Sequence, residues 1–450
     1  MTVAKHPNVL LITWHDAGRW FGCYGNDRVH TPNVDRLADA GVRFANMFSA
    51  CAICSPSRAA IVTGRYCQDN GVMFLTNTVN NNRLHPHERH VARVLKEDHG
   101  YRTALFGVQH ECAHEHVHEV MRVDEQFDTD PWPTAQTSAD RLCTWLTQRR
   151  PTDGPFYAQW GLYEAHLGHW LNGEQRACIE NETDVHIPPY LLDTPQAREA
   201  AGYLQGMLRY GDRAIGTVLD TLRDTGLDRD TLVVMCVDHG VGLPRAKTTC
   251  YDPGIAVGWL MRLPGVTRES HVVEAMATQV DVLPTMFGLL DLPAPDGVQG
   301  QSFASHARGN ATEERNDKIY SHMVETVRSI RTHHHKLIRN FRPPRWPSVP
   351  APVDFAACRA KSEQADTDTA SADVPHVELY DLHKDPNEFT DVAKDPAYAR
   401  VRTELDAQLW DFLVAHDDFV LHEPVRTPWQ AHTQEQLRNH LDSRARPRDE

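Results

Sequence analysis

The 450-residue sequence has no apolar run long enough to cross a bilayer, so no membrane-spanning segment is expected. It also has no excess of positive charge, because 46 Lys and Arg stand against 61 Asp and Glu and give a net charge of −15. This balance argues against nucleic acid as a partner and requires any anionic ligand to be held by a local positive pocket. No separate signal-peptide core precedes the first apolar run, which predicts a cytoplasmic protein.

The sequence lacks the cysteine spacing of a disulfide or zinc framework. Its ten cysteines are scattered along a long chain, which is typical of reduced thiols. Cys51 and Cys54 form one Cys-x-x-Cys, but no second pair follows at zinc-site spacing. A zinc ribbon is therefore not expected, and a redox pair is the weaker alternative for these two residues.

Four apolar, β-branched or aromatic runs predict buried parallel strands. They cover residues 8–13, 103–107, 156–162 and 231–237. Helical patterns lie between them, the clearest over residues 212–225. This alternation predicts an α/β fold with a large, mostly parallel sheet sandwiched by helices.

From about residue 319 the pattern changes. Residues 329–332 and 336–340 predict a hairpin, 377–382 a further strand, 401–413 a helix, and the polar run 361–374 a loop. We therefore predict a large α/β domain over residues 1–318 and a smaller C-terminal domain of antiparallel strands plus a helix over 319–450.

Ionisable side chains follow each of the four predicted parallel strands. They are His15 and Asp16, then His110, then Glu164 and His166, and finally Asp238 and His239. Ligands of open α/β sheets bind outside the carboxyl ends of the strands. Four independent runs therefore deliver acidic and imidazole groups to one edge of the sheet.

The pentapeptide Cys54-Ser55-Pro56-Ser57-Arg58 precedes a short helical run that Gly64 ends. Ser55 suits a helix cap and Pro56 suits the first turn, which places Cys54 just outside the helix N-terminus. Free backbone N–H groups and the positive end of the helix dipole favour an anion there and activate a nucleophile.

The pentapeptide has the Cys-x-Pro-x-Arg form of the sulfatase signature, and the chain resembles the sulfatase family of the alkaline phosphatase superfamily over nearly its whole length. Other blocks that carry the resemblance are residues 8–12, 31–38, 41–44, 63–65, 380–382 and 384–388. Within the family, residues 336–340 and 404–417 most resemble the heparan N-sulfatases, which are N-sulfoglucosamine sulfohydrolases.

The resemblance implies hydrolysis of a sulfate ester or sulfamate on a small sulfated sugar such as N-sulfoglucosamine. A formylglycine-generating enzyme would oxidise Cys54 to formylglycine, whose hydrate is the nucleophile. The resemblance implies roles for four more residues. Arg58 would stabilise the hydrate, and Lys247 would bind a sulfate oxygen. His110 would assist release of sulfate, and His166 would protonate the leaving group. Glu164 is expected to contact substrate.

The resemblance also implies a divalent metal, held by His15, Asp16, Cys54, Asp238 and His239. Calcium is the family's metal, but the family has Asp-Asp where this chain has His15-Asp16. Imidazole suits manganese or zinc better than calcium, so the metal stays open among these ions.

A second departure is Val108, which stands where the family has a sulfate-binding lysine. The two departures keep open a phosphate or phosphonate monoester hydrolase of the same superfamily and a non-catalytic relative. Residues 110–114 also fit His-Glu-x-x-His, the helical zinc protease motif, which we consider a distant alternative. The expected partners are a small anionic sulfated substrate and the formylglycine-generating enzyme, with a homodimer left open.

Overall fold

The structure, a computed structural model, describes residues 6–76, 83–128, 130, 132–150, 152–166, 171–180, 184–324, 327–341, 375–422 and 435–441. The loop predicted over residues 361–374 lies outside this set.

The larger part of the fold is built on one mixed sheet. The strands before residue 319 are β1 (Asn8–Trp14), β2 (Val42–Phe44), β3 (Met47–Phe48), β4 (Arg102–Gly107), β5 (Glu125–Gln126), β6 (Phe156–Leu162), β7 (Thr231–Val237), β8 (Trp259–Arg262), β9 (His271–Val273) and β10 (Ala277–Thr278). Eight of them form a sheet in the order β5-β4-β6-β1-β7-β8-β2-β9, while β10 pairs with β3.

The four predicted parallel strands lie side by side at the centre of this sheet. Strands β4, β6, β1 and β7 run parallel, and β8 is antiparallel to β7. All seven residues of β1 are buried, as expected for a strand covered on both faces. The prediction of a mostly parallel α/β sheet is therefore confirmed.

Helices pack around the sheet. They are α1 (Pro32–Asp39), α2 (Cys54–Thr63), α3 (Cys67–Asn70), α4 (Val91–His99), α5 (Val117–Val120), α6 (Ala135–Thr147), α7 (Gly173–Glu180), α8 (Pro195–Thr225), α9 (Asp252–Ile255), α10 (Val282–Leu289) and α11 (Ala304–Ala307). No helix in the described ranges combines the length and the apolar character that crossing a membrane requires.

The helix predicted over residues 212–225 is the second half of a longer one. Helix α8 begins at Pro195, where the Thr194 side chain accepts a hydrogen bond from the Ala197 N–H, and it ends before Gly226. At Gly211 an added Cβ would lie 2.5 Å from the Trp14 ring, so glycine permits close packing of α8 on the sheet. The sequence pattern was too short because residues 200–210 of α8 are buried nearly all round, so this part of the helix shows no amphipathic periodicity.

Helix α2 also differs from its prediction. It begins at Cys54 itself, so Cys54 is its first residue and does not lie outside it, and Ile53 is the N-cap. Ser55 is not a cap, because its hydroxyl accepts from the Thr76 N–H at 3.1 Å. All ten residues of α2 are buried. Its end at Gly64, with φ of 66°, is as predicted.

A small antiparallel sheet follows in the order β11 (Ile319–Met323), β12 (Val327–Arg331), β13 (His335–Asn340) and β14 (Val377–Asp381). The predicted hairpin is β12 and β13. The predicted C-terminal helix is α12 (Ala399–Ala415), whose Leu409 and Trp410 pack on Leu337 and Leu379 of the sheet. A further helix covers residues 435–441. The division into two domains after residue 318 stays a prediction.

The small sheet is joined to the segment that precedes α2. The backbone N–H of His322 in β11 donates to the Ala50 carbonyl, and the His322 carbonyl accepts from the Ala52 N–H. Nearby, Arg328 of β12 forms a bidentate ion pair with Asp418, with both N–O distances at 2.8 Å and both side chains almost fully buried. Burial alone would raise the pKa of Asp418, but Arg328 outweighs it and lowers that pKa to about 2.

We expect Asp418→Asn to lower the free energy of unfolding at neutral pH by about 3 kcal/mol, because the Arg328 charge would stay buried without its partner. The control is Asp417→Asn, since the Asp417 side chain is 88% exposed; it should change stability by no more than about 0.5 kcal/mol. Urea-induced unfolding measures both. Folding lowers the pKa of Asp418, so its carboxylate stabilises the folded protein fully at pH values above its unfolded pKa. The difference in unfolding free energy between wild type and Asp418→Asn should therefore shrink only as the pH falls from that value toward 2. Equal losses in the two variants would contradict the assignment.

Candidate active site

The carboxyl ends of β1 and β7 and the N-terminus of α2 meet in one cluster. Ligand atoms from five residues lie within 4.8 Å of one another, and all five residues are buried. These residues are His15, Asp16, Cys54, Asp238 and His239. They are the set that the sequence predicted for a metal.

Asp238, directly after β7, holds the cluster together. Its Oδ1 accepts from the backbone N–H of Asp16 at 2.9 Å and from that of His239 at 2.8 Å. Its Oδ2 accepts from Arg58 Nε at 3.2 Å. Burial alone would raise the pKa of Asp238, but His239, His15 and Arg58 outweigh it and lower that pKa to about 2. Asp238 is therefore a carboxylate at neutral pH.

The two histidines of the cluster turn one nitrogen each toward it. His239 Nδ1 lies 2.9 Å from the Gly240 carbonyl, to which it can only donate, so in the neutral ring Nε2 carries the lone pair. That Nε2 lies 3.3 Å from Cys54 Sγ and 3.3 Å from Asp16 Oδ1. His15 turns Nδ1 toward the two carboxylates, at 2.7 Å from Asp16 and 3.3 Å from Asp238.

Asp16 adopts the left-handed backbone region with φ of 53°, which aspartate tolerates better than most residues. Lys247 Nζ donates to both of its carboxylate oxygens, at 3.0 and 2.7 Å. Burial would lower the pKa of Lys247, but Asp16 outweighs it and raises that pKa, so the ammonium is charged. Lys247 thus brings a cation to the cluster, as its predicted role requires.

Cys54 and Arg58 lie one helical turn apart on α2. Burial raises the pKa of the Cys54 thiol, so the unmodified side chain is neutral and not the activated thiolate expected beside a helix N-terminus. Arg58 Nη1 donates to Thr13 Oγ1 at 2.9 Å and to the Val108 carbonyl at 3.2 Å. Its buried Nη2 has no hydrogen-bond partner within the described residues, which leaves one donor for a ligand.

His110 and His166 flank the cluster and are partly exposed. His110 Nδ1 lies 3.2 Å from His15 Nε2. The His166 ring meets the His15 ring edge-on at 4.7 Å, and its Nδ1 lies 3.1 Å from the Tyr163 hydroxyl. The structure therefore brings both predicted helper histidines to the rim of the cluster. Tyr163, which the sequence analysis missed, could have been found from its place at the end of β6.

Glu164 was predicted to contact substrate, and its carboxylate binds groups outside the cluster. Its carboxylate accepts from the Ala135 N–H at the start of α6 and from Gln175, and it is fully buried. Burial raises the pKa of Glu164 to about 7. These contacts join α6 to the end of β6. The expected contact of Glu164 with substrate stays a prediction.

The zinc protease alternative is wrong. His110 has φ of 59°, and residues 110–113 are not helical, so the motif does not place its two histidines on one face of a helix. Val108, the residue in the family's lysine position, is 1% exposed and contributes its carbonyl to Arg58.

Residues 7–292 match the sequence model of a protein family described as Sulfatase, which is well over half of the chain. This chain belongs to the sulfatase family. Residues 245–346 of this sulfatase match a second model, described as N-sulphoglucosamine sulphohydrolase, C-terminal.

Two curated relatives align along most of this sulfatase. N-sulphoglucosamine sulphohydrolase of Homo sapiens is 28% identical in an alignment 471 residues long, gaps included. The alignment covers 93% of this chain and 92% of the relative. An ulvan-active sulfatase of Formosa agariphila is 26% identical in an alignment 476 residues long, gaps included. That alignment covers 93% of this chain and 76% of the relative.

Two solved structures share the fold. One protein, in complex with its substrate D-glucosamine-2-N,6-O-disulfate, has a TM-score of 0.72 at 19% identity and covers 92% of this chain and 99% of its own. The phosphonate monoester hydrolase of Agrobacterium radiobacter has a TM-score of 0.67 at 19% identity and covers 91% and 96%. At these identities the likeness shows the fold alone.

The residues of this sulfatase fit a divalent metal ion. Groups that bind one ion at 2.0–2.6 Å must lie within about 5 Å of one another, and the five ligand atoms meet that condition. Two carboxylates supply negative charge, and the hydrogen bond of His239 leaves its other nitrogen free to bind. Because two imidazoles join the donor set, manganese and zinc fit it as well as calcium does.

We expect Asp16→Asn to weaken binding of a divalent cation by at least about tenfold, because it removes one carboxylate charge while tolerating the same backbone conformation. Elemental analysis after equilibrium dialysis against Ca²⁺, Mn²⁺ or Zn²⁺ measures the effect and identifies the preferred ion. Asp417→Asn is the control, since Asp417 is an exposed aspartate with a similar φ of 47°. Equal metal content in Asp16→Asn and the control would contradict the site.

Proposed function

We propose that this sulfatase hydrolyses a sulfate ester or sulfamate on a small sulfated sugar such as N-sulfoglucosamine, with formylglycine at position 54 and one divalent metal ion. The observation that carries the proposal is the position of Cys54. Its Sγ lies on the first turn of α2, 3.3 Å from His239 Nε2, among the two carboxylates and two imidazoles that fit a metal.

Conversion of Cys54 to formylglycine would supply a hydrated aldehyde as the nucleophile, and the metal would neutralise charge on the sulfuryl oxygens. The chain's own residues then have distinct tasks. Arg58, whose Nη2 has no partner within the described residues, stabilises an oxygen at position 54. Lys247 is charged and binds a sulfate oxygen.

The flanking histidines move protons. His166 is oriented by the Tyr163 hydroxyl at Nδ1, so its Nε2 protonates the leaving oxygen or nitrogen. His110, whose Nδ1 lies 3.2 Å from His15 Nε2, assists release of sulfate. Both rings pack edge-on against His15, which holds the two proton-transfer groups next to the cluster.

The substrate proposal is supported by two similarities. The C-terminal family model matched at residues 245–346 and the relative from Homo sapiens both carry the name N-sulphoglucosamine sulphohydrolase. A solved structure with the same fold holds a glucosamine sulfated at nitrogen and at O6. The net charge of −15 also favours a small substrate over a sulfated polymer, because long-range repulsion grows with the charge of the ligand.

The second candidate is a phosphate or phosphonate monoester hydrolase. Its support is the phosphonate monoester hydrolase that shares the fold, together with His15, whose imidazole suits a transition metal.

We further propose that the enzyme works in the cytoplasm after modification by a formylglycine-generating enzyme, and that it is monomeric or forms a homodimer. Calcium, manganese and zinc remain the candidate metals.

The mass of the tryptic peptide that carries Cys54, taken from protein made in its own host, tests the nucleophile. We expect a peptide about 18 Da lighter than the cysteine form, or one trapped by a hydrazide, because the aldehyde replaces the thiol. The peptide that carries Cys67 should keep its cysteine mass. An unmodified Cys54 in protein from the native host would refute the formylglycine mechanism.

Activity of the Cys54→Ala variant tests the same residue by function. We expect hydrolysis of 4-nitrophenyl sulfate to fall at least about 10³-fold, since removal of a nucleophile costs several kcal/mol of transition-state stabilisation. Cys51→Ala is the matched control, because Cys51 is also buried and lies three residues away; its activity should stay within a few-fold. Equal losses would indicate a Cys51–Cys54 pair instead of a single nucleophile.

Parallel assays on N-sulfoglucosamine, 4-nitrophenyl sulfate and a 4-nitrophenyl phosphonate monoester decide between the two candidate functions. We expect kcat/KM to be highest for the sulfated sugar, because it alone offers both the sulfate and the sugar contacts. A higher value for the phosphonate would favour the second candidate. The measurement is the initial rate over a range of substrate concentrations with the preferred metal present.

A further inference from the structure

Trp132 stands apart from the other tryptophans. Six other tryptophans in the described ranges are buried, whereas Trp132 is 37% exposed. It lies in the segment just before α6 and belongs to no helix or strand. A single exposed apolar side chain is normal at a protein surface, so the neighbours of Trp132 decide what it can do.

The indole of Trp132 lies at the rim of the five-residue cluster, beside residues that flank it. Its ring meets the His110 ring edge-on, with centroids 4.7 Å apart, and lies 4.9 Å from the Tyr163 ring. Tyr163 in turn is stacked on His166 at 4.9 Å. The indole therefore packs directly on His110 and is linked to His166 through the Tyr163 ring.

The position of the sulfate determines where the sugar must lie. Cys54 and the other four groups of the cluster are at most 2% exposed, so a sulfate bound among them is buried. The group that carries the sulfate must leave the cluster past the partly exposed residues that flank it, among them His110 and His166. Trp132 and Tyr163 lie along that rim.

We propose that Trp132 is a sugar-binding residue, whose indole packs against the pyranose ring that carries the sulfate. The C–H groups on the face of a pyranose match a flat aromatic surface, and aromatic side chains line most sites for small ligands. The edge-on contact with His110 and the contact with Tyr163 fix the indole, so little conformational freedom is lost on binding. This inference deepens the proposed function and rests on its sugar substrate.

Binding to enzyme without turnover tests the proposal. Calorimetry would measure the Kd of N-sulfoglucosamine and of inorganic sulfate for Cys54→Ala protein, alone and combined with Trp132→Ala or Trp132→Phe. This variant keeps four of the five expected metal ligands, and elemental analysis would confirm equal metal content in all three proteins. We expect Trp132→Ala to raise the Kd of the sugar by about 3- to 10-fold and Trp132→Phe to raise it less, because phenylalanine keeps part of the stacking surface. The Kd of inorganic sulfate should not change, because sulfate alone does not reach the indole.

The matched control is Phe389→Ala, which removes another exposed aromatic side chain, 38% exposed. It should leave both dissociation constants unchanged. An unchanged sugar Kd in Trp132→Ala would overturn the proposal, and so would an equal rise for sugar and sulfate, which would indicate a disturbed cluster. N-sulfoglucosamine that binds Cys54→Ala no more tightly than sulfate does would overturn it as well.

The failure of the proposed function has a different signature. Wild-type enzyme that binds N-sulfoglucosamine through Trp132 without hydrolysing it would refute the proposed reaction and leave the sugar contact in place. In active wild-type background, Trp132→Ala should raise KM for the sugar by a similar factor and leave kcat within about twofold. A fall in kcat with unchanged KM would assign the indole to positioning His110 instead.

Discussion

The carboxylate of Asp238 is the contact on which the rest of the site depends. It accepts from the backbone N–H of Asp16 at the end of β1 and from Arg58 on α2, so it ties two strands and a helix together. Its backbone carbonyl accepts from Ser57 of the same helix at 2.6 Å. Because these bonds are buried, they fix where Cys54 lies relative to the strand ends.

The positive charge of the site comes from two side chains. Arg58 donates to Asp238, and Lys247 donates to both oxygens of Asp16. His15 and Val108, the two positions at which the resemblance leads one to expect a carboxylate and a lysine, are buried and contribute an imidazole and a backbone carbonyl. Arg58 and Lys247 therefore form the local positive pocket that an anionic ligand needs in a protein of net charge −15.

Local pattern predicted the strands better than the helices. The four central strands are mostly apolar because helices cover both faces of the sheet, and such runs are visible in a sequence. Helix α8 was found only from residue 212, since residues 200–210 before it are buried nearly all round and show no amphipathic stripe. Ser55 resembled a cap by residue type, but tertiary contact with Thr76 gave its hydroxyl another partner.

The sequence by itself determined the fold class, the signature at Cys54 and the groups that follow each strand, because these depend on residue type and local spacing. Only the tertiary structure decided which groups meet. It paired Glu164 with the Ala135 N–H at the start of α6, and it placed Trp132 beside His110 from a segment with no regular pattern. The reason is physical: side-chain partners distant along the chain are chosen by packing and by competition for hydrogen bonds, which local sequence does not record.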